Sequence, residues 1–397
     1  MSELNQIPYL IQLLDDDSPE IRNRVIRQLT SFGPNLREEL KKIELVLNPS
    51  QQETLYKIIE AQKRNYLKRL WPTWYPMKND CEMLEVALSL LAGYLNESEP
   101  RYTLKILLDN LAMGYRRIYR NRSPVQLAHF LFQEHGIEGA ENDYYNPQNS
   151  NLIYVLESKK GIPISLASIF MLVGHRLDIP IRGCNFPGHF LTRVAVNGQN
   201  VFIDCFNSGQ IIERVEVEQI KDKTGYGFED LLKEKTDAPM MIKRFLANLI
   251  NIYQMGDDSI NSGFLISLYN DLDFYLAQKQ LSELTPDQII SQSKPVLRRG
   301  MIIRHHCGYR GIIVEIDSSC AASDSWYYSN QIQPDRNQPW YHILVHGTDQ
   351  VTYAAESHLV PDDSCKKIDH PLLLYFFDEG KGGRYIRNNT FWPDAEI

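Results

Sequence analysis

The spacing of hydrophobic residues along the chain predicts helical regions first and short strands last. Up to about residue 70, and again over residues 239–281, apolar side chains recur every three or four positions, the spacing of amphipathic helices. From Arg299 onward the apolar runs are short, rich in Ile, Val and Tyr, and joined by glycines, which indicates strands. We therefore predict an α+β fold that ends in a small β-barrel, because closing a barrel pairs the edges of such short strands.

Cap and turn residues mark the boundaries of the N-terminal helices. Ser18 and Pro19 are suited to begin a helix, and Gly33-Pro34 is suited to end it. The two short helices around these residues resemble a single HEAT-type repeat. Two further helices are predicted over residues 36–47 and 51–70. The N-terminal region is therefore expected to be helical.

Changes in composition divide the chain. Tryptophans and prolines mark a junction at residues 71–78, and residues 282–296 are polar with two prolines, as in a linker. The helical residues 239–281, interrupted at Gly256-Asp257-Asp258, resemble a tetratricopeptide-like helical pair. We predict three domains: 1–78, 79–285 and 295–397.

Charge and cysteine content restrict the class of protein. The net charge is −8 and the isoelectric point about 5.7, which disfavours nucleic acid and anionic membranes as partners. The six cysteines are scattered, as expected of reduced thiols. The N-terminus lacks a basic signal-peptide region, and the chain has no run of 18 apolar residues. We expect a soluble, cytoplasmic protein without a membrane partner.

A serine stands at the start of the most apolar predicted helix. Ser165 is followed by apolar residues at helical spacing: Leu166, Ile169, Phe170, Val173 and Leu177. A helix N-terminus offers free N–H groups and the positive end of the helix dipole. A hydroxyl at this position stays protonated, so Ser165 would need a neighbouring base to act as a nucleophile.

A histidine and an aspartate are predicted to face each other on the following hairpin. Asn197-Gly198 is the favoured pair for a two-residue type I′ turn, which places Leu191 opposite Asp204. Because side chains alternate along a strand, His189 shares a face with Leu191, diagonal to Asp204. The carboxylate is therefore placed to orient the imidazole, as in a catalytic triad. Cys205 must point to the opposite face and is a poor replacement for a nucleophilic thiol.

These residues resemble a known family. The segment DYYNPQNSNLIYVLESKKGIPISLASIF, followed by PGHFLTRV and FIDCFNSG, is similar to the SirB-type branch of the transglutaminase-like superfamily over about residues 81–285. The resemblance implies a papain-like α+β domain in which active members carry a cysteine at the start of the helix. By position His189 and Asp204 match that pattern, whereas Ser165 stands in place of the cysteine, as is common in the SirB-type branch.

Three interpretations of Ser165, His189 and Asp204 remain. In the first, Ser165 caps its helix and the His–Asp hydrogen bond only stabilises the hairpin. In the second, the three residues form a serine-dependent hydrolase or transferase. In the third, the remaining cleft binds an amide or a peptide. We favour a protein that is not an enzyme, because an Asp–His hydrogen bond stabilises a fold without any reaction.

The C-terminal strands resemble a second family. The segments RRGMIIRHHCGYRGIIVEID, QPWYHILVHG, YAAESHL and DHPLLLYFF are similar to the YccV/HspQ family, also called the hemimethylated-DNA-binding domain, over nearly all of residues 297–397. Relatives of this domain include adaptors that help bacterial and plastid proteases choose substrates, and a eukaryotic F-box protein joins the same two modules. The resemblance implies a non-catalytic adaptor or scaffold in protein turnover, whose partners are a protease or its substrates.

DNA is the alternative partner that the family name suggests. Residues 295–397 carry ten Lys and Arg against thirteen Asp and Glu, so DNA binding would require a face on which arginines are segregated. Trp340 is more strongly expected in the core than on such a face. The candidates for a DNA- or partner-contacting face are Arg298, Arg299, Arg304, Arg310, Tyr309 and Trp340.

Other polar clusters do not predict a cofactor. No metal site is expected among the histidines of the last domain, since none shows paired ligand spacing with cysteine: His305, His306, His342, His346, His358 and His370. Basic residues interleaved with tyrosine at 63–69 and 114–122 are compatible with nucleic-acid contact. We prefer to explain them as cations favoured at helix C-termini by the macrodipole.

Overall fold

The chain folds into two compact units, residues 1–103 and 104–397, in a computed structural model. Within the first of these units, the helix that begins at Asp80 packs on the helical turn that carries Trp71 and Trp74. The structure describes residues 6–33, 36, 40, 42, 47–96, 101–186, 189–219, 228–233, 236–283, 297–306, 308–330, 333–362, 364, 366–379, 385–390 and 392. Most of the predicted helix 36–47 and most of the predicted linker 282–296 lie outside these residues.

The described residues of the first unit form helices. They are α1 (Ile7–Gln12), α2 (Pro19–Ser31), α3 (Pro49–Leu70) and α4 (Asp80–Leu95), with 3₁₀ turns at Leu13–Asp15 and Trp71–Trp74. Ser18 precedes α2 and Gly33 follows it with a φ of +59°, which confirms the predicted start and end of this helix. The apolar stripes of α1, α2 and α3 meet in one buried cluster that includes Ile11, Leu29 and Ile58.

In the second unit, helices come before and after a four-stranded antiparallel sheet in the sequence. The helices are α5 (Leu104–Ile118), α6 (Pro124–Ala128), α7 (Leu152–Ser158), α8 (Pro163–Arg176), α9 (Arg214–Gln219), α10 (Phe228–Lys233), α11 (Ala238–Met255) and α12 (Ser259–Glu283). Strands β1 (Glu138–Gly139) and β2 (Lys160–Gly161) form a short parallel pair. The sheet contains β3 (Ile181–Cys184), β4 (Leu191–Val196), β5 (Gln199–Asp204) and β6 (Gln210–Ile212), in that order.

Helix α8 is the central helix of this region. The sequence predicted one apolar face, but every residue from Pro163 to Gly174 is buried, so the helix is enclosed on all sides. The expectation that Ser165 caps the helix is wrong. Ile162 occupies the N-cap position without a side-chain cap, and Pro163, whose ring fixes a helical φ, begins the helix. Ser165 is therefore the third residue of the first turn.

The β4–β5 hairpin has the predicted register. Val196 pairs with Gln199, and the two turn residues have positive φ values, +51° at Asn197 and +79° at Gly198. A type I′ turn requires this conformation at both positions. Continuing the pairing places Leu191 opposite Asp204, as the sequence predicted.

The C-terminal strands form a curled sheet with a small additional ribbon. In the order β10–β9–β8–β7–β11, the sheet contains β7 (Ile302–His305), β8 (Arg310–Asp317), β9 (Trp340–Val345), β10 (Val351–Ala355) and β11 (Leu359–Pro361). The outermost strands β10 and β11 are joined by a single 3₁₀ turn, Glu356–His358, which spans about 6 Å. The two edges must therefore approach each other, so the sheet curls into the predicted barrel shape.

Both faces of this sheet are covered by apolar residues. Ile313, Tyr341 and Ile343 belong to a buried apolar cluster on one face. Ile312 and Leu344 belong to a second buried apolar cluster on the other face. The second cluster is completed by α14 (Leu373–Phe376), β12 (Phe377–Glu379) and β13 (Tyr385–Arg387), none of which the strand pattern predicted. A 3₁₀ turn separates β10 from β11, because the chain crosses from one sheet edge to the other there.

Helices α11 and α12 contact the C-terminal domain that contains this sheet. Helices α11 and α12 are separated at residues 256–258, as predicted, and α11 packs on α13 (Asp324–Ser329). The Tyr269 hydroxyl lies 3.1 Å from that of Tyr327, and Lys243 pairs with Asp273 over 2.5 Å. Arg336 lies 4.0 Å from the centre of the Tyr327 ring. Of these contacts, the Tyr269–Tyr327 pair joins α12 to the last domain, whereas Lys243–Asp273 joins α11 to α12 and Arg336 contacts Tyr327 within the last domain.

None of the helices in the described part of the chain is long and apolar enough to cross a lipid bilayer.

Candidate functional site

His189 and Asp204 form a hydrogen-bonded pair at the end of the four-stranded sheet. His189 Nε2 lies 2.8 Å from Asp204 Oδ2. His189 precedes β4 and Asp204 ends β5, so the hairpin register brings them together, which confirms the predicted diagonal pairing. The imidazole is 24% exposed, whereas the carboxylate is 7% exposed. The pair thus presents a histidine whose outer edge is accessible and whose inner nitrogen is fixed.

Asp204 is held as a carboxylate by several donors. Its Oδ1 accepts the main-chain N–H groups of Phe206 and Asn207, and its Oδ2 also accepts the Asn207 amide at 2.8 Å. Burial alone would raise the pKa of Asp204, but the hydrogen bond and charge of His189 and the bonds from Asn207 lower it below the ordinary 3.8.

The protonation of Asp204 determines which nitrogen of His189 carries a proton. An ionised carboxylate can only accept, so Nε2 donates to it, and Nδ1 of the neutral ring keeps a lone pair. Within the described residues no group bonds to Nδ1. In its neutral form the His189 ring therefore offers an oriented acceptor, which suits either a general base or a ligand's N–H group.

Phe206 covers one side of this histidine. Its ring centre lies 6.0 Å from that of His189 at 89°, and 6.3 Å from that of Tyr144. A Cβ at Gly139 would lie 2.7 Å from the Phe206 ring, so glycine at this position of β1 makes room for it. Phe206 and the half-exposed Tyr144 form an aromatic wall beside His189. Both residues lie in the segments that carry the family resemblance, but sequence reasoning assigned them no role.

The structure does not bring Ser165 into this pair. Ser165 is fully buried, and its hydroxyl donates a hydrogen bond of 2.6 Å to the main-chain carbonyl of Asn149. No hydrogen bond in the described part of the chain joins Ser165 to His189. Of the three predicted residues, two are therefore paired and the third is bonded elsewhere.

Asn149 links Ser165 to the loop beside the histidine. It lies in the 3₁₀ turn Pro147–Ser150, and its side-chain amide donates to the carbonyls of Asp143 and Tyr144. Asn149 is 2% exposed, so these bonds are shielded from water. Ser165 consequently supports the position of Tyr144 through Asn149, a structural role that no sequence signal indicated.

Arg244 fixes the main chain that carries the histidine. From helix α11 its guanidinium donates to the Asn185 side chain and, over 3.2 Å, to the carbonyl of His189. It also lies 5.5 Å from the centre of the Phe190 ring. Burial raises the pKa of Tyr144, and the charge of Arg244 partly opposes that rise. Arg244 is distant in sequence, so only the tertiary fold reveals its role.

Cys205 does not replace the missing thiol. It is fully buried and its sulfur lies 3.7 Å from the Thr192 hydroxyl, on the face opposite to Asp204, as the strand alternation predicted. Burial raises the pKa of this thiol strongly, so a thiolate does not form there at neutral pH. Cys184 is also buried, in the apolar cluster of Phe186 and Leu191.

Most of the candidate arginines of the barrel are engaged by carboxylates. Arg299 pairs with Glu315, and both Arg304 (3.4 Å) and Arg310 (2.5 Å) pair with Asp362. Asp362 is only 3% exposed, and although burial opposes it, the bonds from Ser364 and Arg310 lower its pKa to about 2. Arg298 is exposed. Three of the four predicted basic residues are thus paired with two carboxylates, which leaves one positive charge in excess.

The two candidate aromatic residues of the barrel differ in exposure. Trp340 is 2% exposed, and its indole donates to the Asp335 carbonyl at 3.2 Å, so it belongs to the core and does not offer a stacking surface. Tyr309 is half-buried and stacks on His305, with ring centres 4.6 Å apart. The prediction of Trp340 as a contact residue is therefore wrong, and its burial explains why.

Three histidines of the barrel lie close together. The ring centre of His358 is 5.5 Å from that of His305 and 6.0 Å from that of His306. Burial, reinforced by the neighbouring histidines, lowers the pKa of His305 to about 3 and that of His358 to about 4. Among the described residues, no group of three or more His, Cys, Asp or Glu side chains is arranged to hold a metal ion.

Comparisons with known families agree with this geometry. Residues 103–247 match the transglutaminase-like superfamily, and residues 297–384 match the description "hemimethylated DNA-binding protein YccV like". The first match contains Ser165, His189 and Asp204, and the second contains the curled sheet. The chain therefore carries a transglutaminase-like domain followed by a YccV-like domain.

Several curated proteins are similar to the chain. A UPF0162 protein of Xylella fastidiosa is 35% identical over 162 residues, which cover 37% of this chain and 58% of the relative. A UPF0162 protein of Vibrio cholerae is 33% identical over 139 residues, covering 34% and 51%. F-box only protein 21 of Mus musculus is 22% identical over 390 residues, covering 79% and 60%. The chain thus spans less than two thirds of each relative, and no solved structure matches it.

Proposed function

We propose that this protein is a non-catalytic adaptor or scaffold in protein turnover, which binds protein or peptide partners through its two C-terminal domains. The observation that carries the proposal is the Ser165–Asn149 hydrogen bond of 2.6 Å. A nucleophile must reach both its base and its substrate. Ser165 is fully buried and donates to a carbonyl, while His189 keeps an accessible edge. This combination suits recognition better than acyl transfer.

The site beside His189 has the features of a peptide-binding cleft. The oriented Nδ1 acceptor lies next to the rings of Phe206 and Tyr144, and Arg244 fixes the backbone behind it. A polar acceptor next to aromatic surface suits the amide N–H and side chain of an extended peptide. Because the Ser165 hydroxyl is buried and donates to the Asn149 carbonyl, a bound amide would be held and not cleaved.

The barrel domain offers a second contact surface. Leu374 is 75% exposed and Tyr375 62% exposed on the short helix α14, and the preceding Leu372 is 38% exposed. The carbonyl of Tyr375 accepts the Asn388 amide at 3.0 Å, so the helix is braced while these side chains face solvent. Adjacent exposed apolar residues of this kind mark protein-binding surfaces.

The relatives support this assignment. The alignment with F-box only protein 21 covers 79% of this chain and so reaches into both matched domains. We infer that the combination of domains serves protein recognition, with a protease or its substrates as partners. We also assign the transglutaminase-like domain to the SirB-type branch, on the serine at position 165.

Affinity capture with the full-length protein tests the adaptor function. Tagged protein should recover a protease subunit or its substrates from cells, and the double change Leu374→Ser with Tyr375→Ser should abolish the recovery. Val215→Ser is the matched control, since Val215 is 63% exposed on the other domain. Failure to recover any protease or substrate, or recovery unaffected by the double change, would contradict a role for the barrel in partner binding.

A serine-directed fluorophosphonate probe tests the non-catalytic assignment. We expect the wild-type protein to remain unlabelled, because the Ser165 hydroxyl is buried and donates to Asn149. Labelling that disappears in Ser165→Ala would show a reactive serine and favour the hydrolase alternative.

DNA binding is the second candidate, supported by the description of the family that residues 297–384 match. It would require Arg299, Arg304 and Arg310 to exchange their carboxylate partners for phosphates. A gel-shift titration of the full-length protein with hemimethylated and unmethylated duplexes at increasing salt tests it. We expect no binding even at low salt; tight binding whose affinity falls steeply with salt would reverse this ranking.

A further inference from the structure

A cavity of about 280 Å³ lies between the C-terminal ends of helices α5 and α8. Three arginines, Arg116, Arg120 and Arg122, are among the residues that line it, together with Tyr119 and Leu177. None of its lining residues belongs to the His189–Asp204 pair. It is therefore a separate site, and the proposed adaptor function does not use it.

Positive charge exceeds negative charge at this cavity. Arg122 pairs with Asp178 over 3.2 Å, but both side chains are about 70% exposed, so this pair contributes little. Arg116 donates to the carbonyl of Arg176 at the end of α8 and keeps further N–H donors. Arg120 makes no hydrogen bond or ion pair with the residues that the structure describes.

The helix dipole does not account for this cluster. Helix α5 ends at Ile118, and its last turn contains Arg116, whose position the macrodipole favours. Arg120 and Arg122 follow the end of the helix and line the cavity from the next turn of chain. The dipole explanation that we preferred for the basic residues at 114–122 therefore applies to Arg116 but not to Arg120 or Arg122.

The turn that carries these arginines is held by aromatic contacts. The Tyr115 hydroxyl donates to the carbonyl of Asn121 at 2.8 Å, and its ring stacks on Tyr119 with centres 5.0 Å apart. The edge of Phe130 packs on Tyr115 at 5.6 Å. The main chain of the turn is thus fixed before any ligand arrives, which lowers the entropic cost of binding.

We propose that this cavity binds a small molecule that carries a phosphate monoester. A guanidinium group matches phosphate oxygens with two parallel hydrogen bonds. A monoester carries a charge of about −1.5 to −2 at neutral pH, which two arginines outside strong ion pairs can balance. The volume is at the lower end for small-molecule sites and fits a sugar phosphate or a mononucleotide.

Calorimetric titration of the full-length protein tests this site. The probes are AMP and ribose 5-phosphate, each compared with adenosine or ribose at constant ionic strength. We expect at least one phosphorylated probe to bind with a dissociation constant of about 1 mM or tighter, and its dephosphorylated partner not to bind. Arg120→Gln should weaken that binding at least about 10-fold, because each charge-assisted bond contributes that much.

Arg182→Gln is the matched control, since Arg182 is exposed on β3 away from the cavity lining. Arg120 has no partner to lose within the described structure, so its replacement should leave folding intact, which circular dichroism would verify. The proposal is overturned if neither phosphorylated probe binds, or if Arg120→Gln binds as tightly as Arg182→Gln. Binding confined to single-stranded oligonucleotides or acidic peptides would also overturn it.

Discussion

The Ser165 hydroxyl donates to the main-chain carbonyl of Asn149, 16 residues earlier in the chain, over 2.6 Å. Both residues are buried, and Asn149 in turn holds the carbonyls of Asp143 and Tyr144. The residue that stands in place of a nucleophile is therefore a structural link between the central helix and the loop beside His189. Its mutation should affect stability in a way that a solvent-facing nucleophile would not.

Ser165→Ala should destabilise the second unit by about 1–2 kcal/mol, because it leaves a buried carbonyl with one hydrogen bond fewer. Hydrogen exchange should quicken at residues 143–150. Ser168→Ala is the control: its buried hydroxyl bonds to the Ile164 carbonyl within the same helix, so its loss should cost less than about 0.5 kcal/mol. Equal effects of the two changes would refute a linking role for Ser165.

Asp204→Asn should reduce the amount by which the free energy of unfolding falls at acid pH. The pKa of Asp204 is lowered in the folded protein, so its ionised form stabilises the fold above about pH 4, the unfolded value. That contribution is lost as the pH falls through the folded pKa. Urea unfolding between pH 7 and pH 3 measures the effect, with the exposed Glu141→Gln as control. If the free energy of unfolding decreased equally with pH in wild type and in Asp204→Asn, this role of the Asp204 carboxylate would be contradicted.

The barrel should lose stability on mild acidification. Burial lowers the folded pKa of His305 to about 3 and of His358 to about 4, whereas an unfolded histidine titrates near 6.5. Between these values the unfolded chain takes up protons that the folded chain excludes. Stability should therefore fall with pH below about 6.5, by at most about 1.4 kcal/mol per unit for each histidine.

The loss of stability below about pH 6.5 should depend on His305 and His358. His358→Gln removes one buried titrating group and should reduce the slope between pH 6.5 and pH 4.5 in thermal unfolding. His175→Gln, at an exposed position in the last turn of α8, should leave the slope unchanged. A stability that is flat across this range would argue against neutral, buried histidines.

Gly198→Ala should weaken the hairpin that sets the His189–Asp204 distance. Gly198 has a φ of +79°, where a Cβ is strained, so the change should cost about 1 kcal/mol or more. Gly263→Ala is the control, because this exposed glycine lies within helix α12 with open space around it and alanine favours a helix. Gly263→Ala should leave stability unchanged or increase it by up to about 1 kcal/mol. If Gly198→Ala did not lower stability, the assignment of the type I′ turn would be contradicted.

Local patterns explain what could be predicted. The type I′ turn at Asn197-Gly198 determines the register, and strand alternation then places His189 and Asp204 on one face, 2.8 Å apart in the structure. The helix start at Pro19 and the strands of the barrel also follow from residues that lie next to one another in the sequence. Short-range sterics and side-chain alternation are encoded locally, so no knowledge of distant contacts is needed.

The sequence by itself therefore determined the α+β architecture, the two recognisable domains and the His189–Asp204 pair. The tertiary structure alone decided what Ser165 does, because its bond to Asn149 depends on how the central helix packs. It also decided that Asp362 engages two of the candidate arginines and that Trp340 is buried. Burial and partner choice depend on groups brought together from distant parts of the chain, and residue type and spacing do not specify those neighbours.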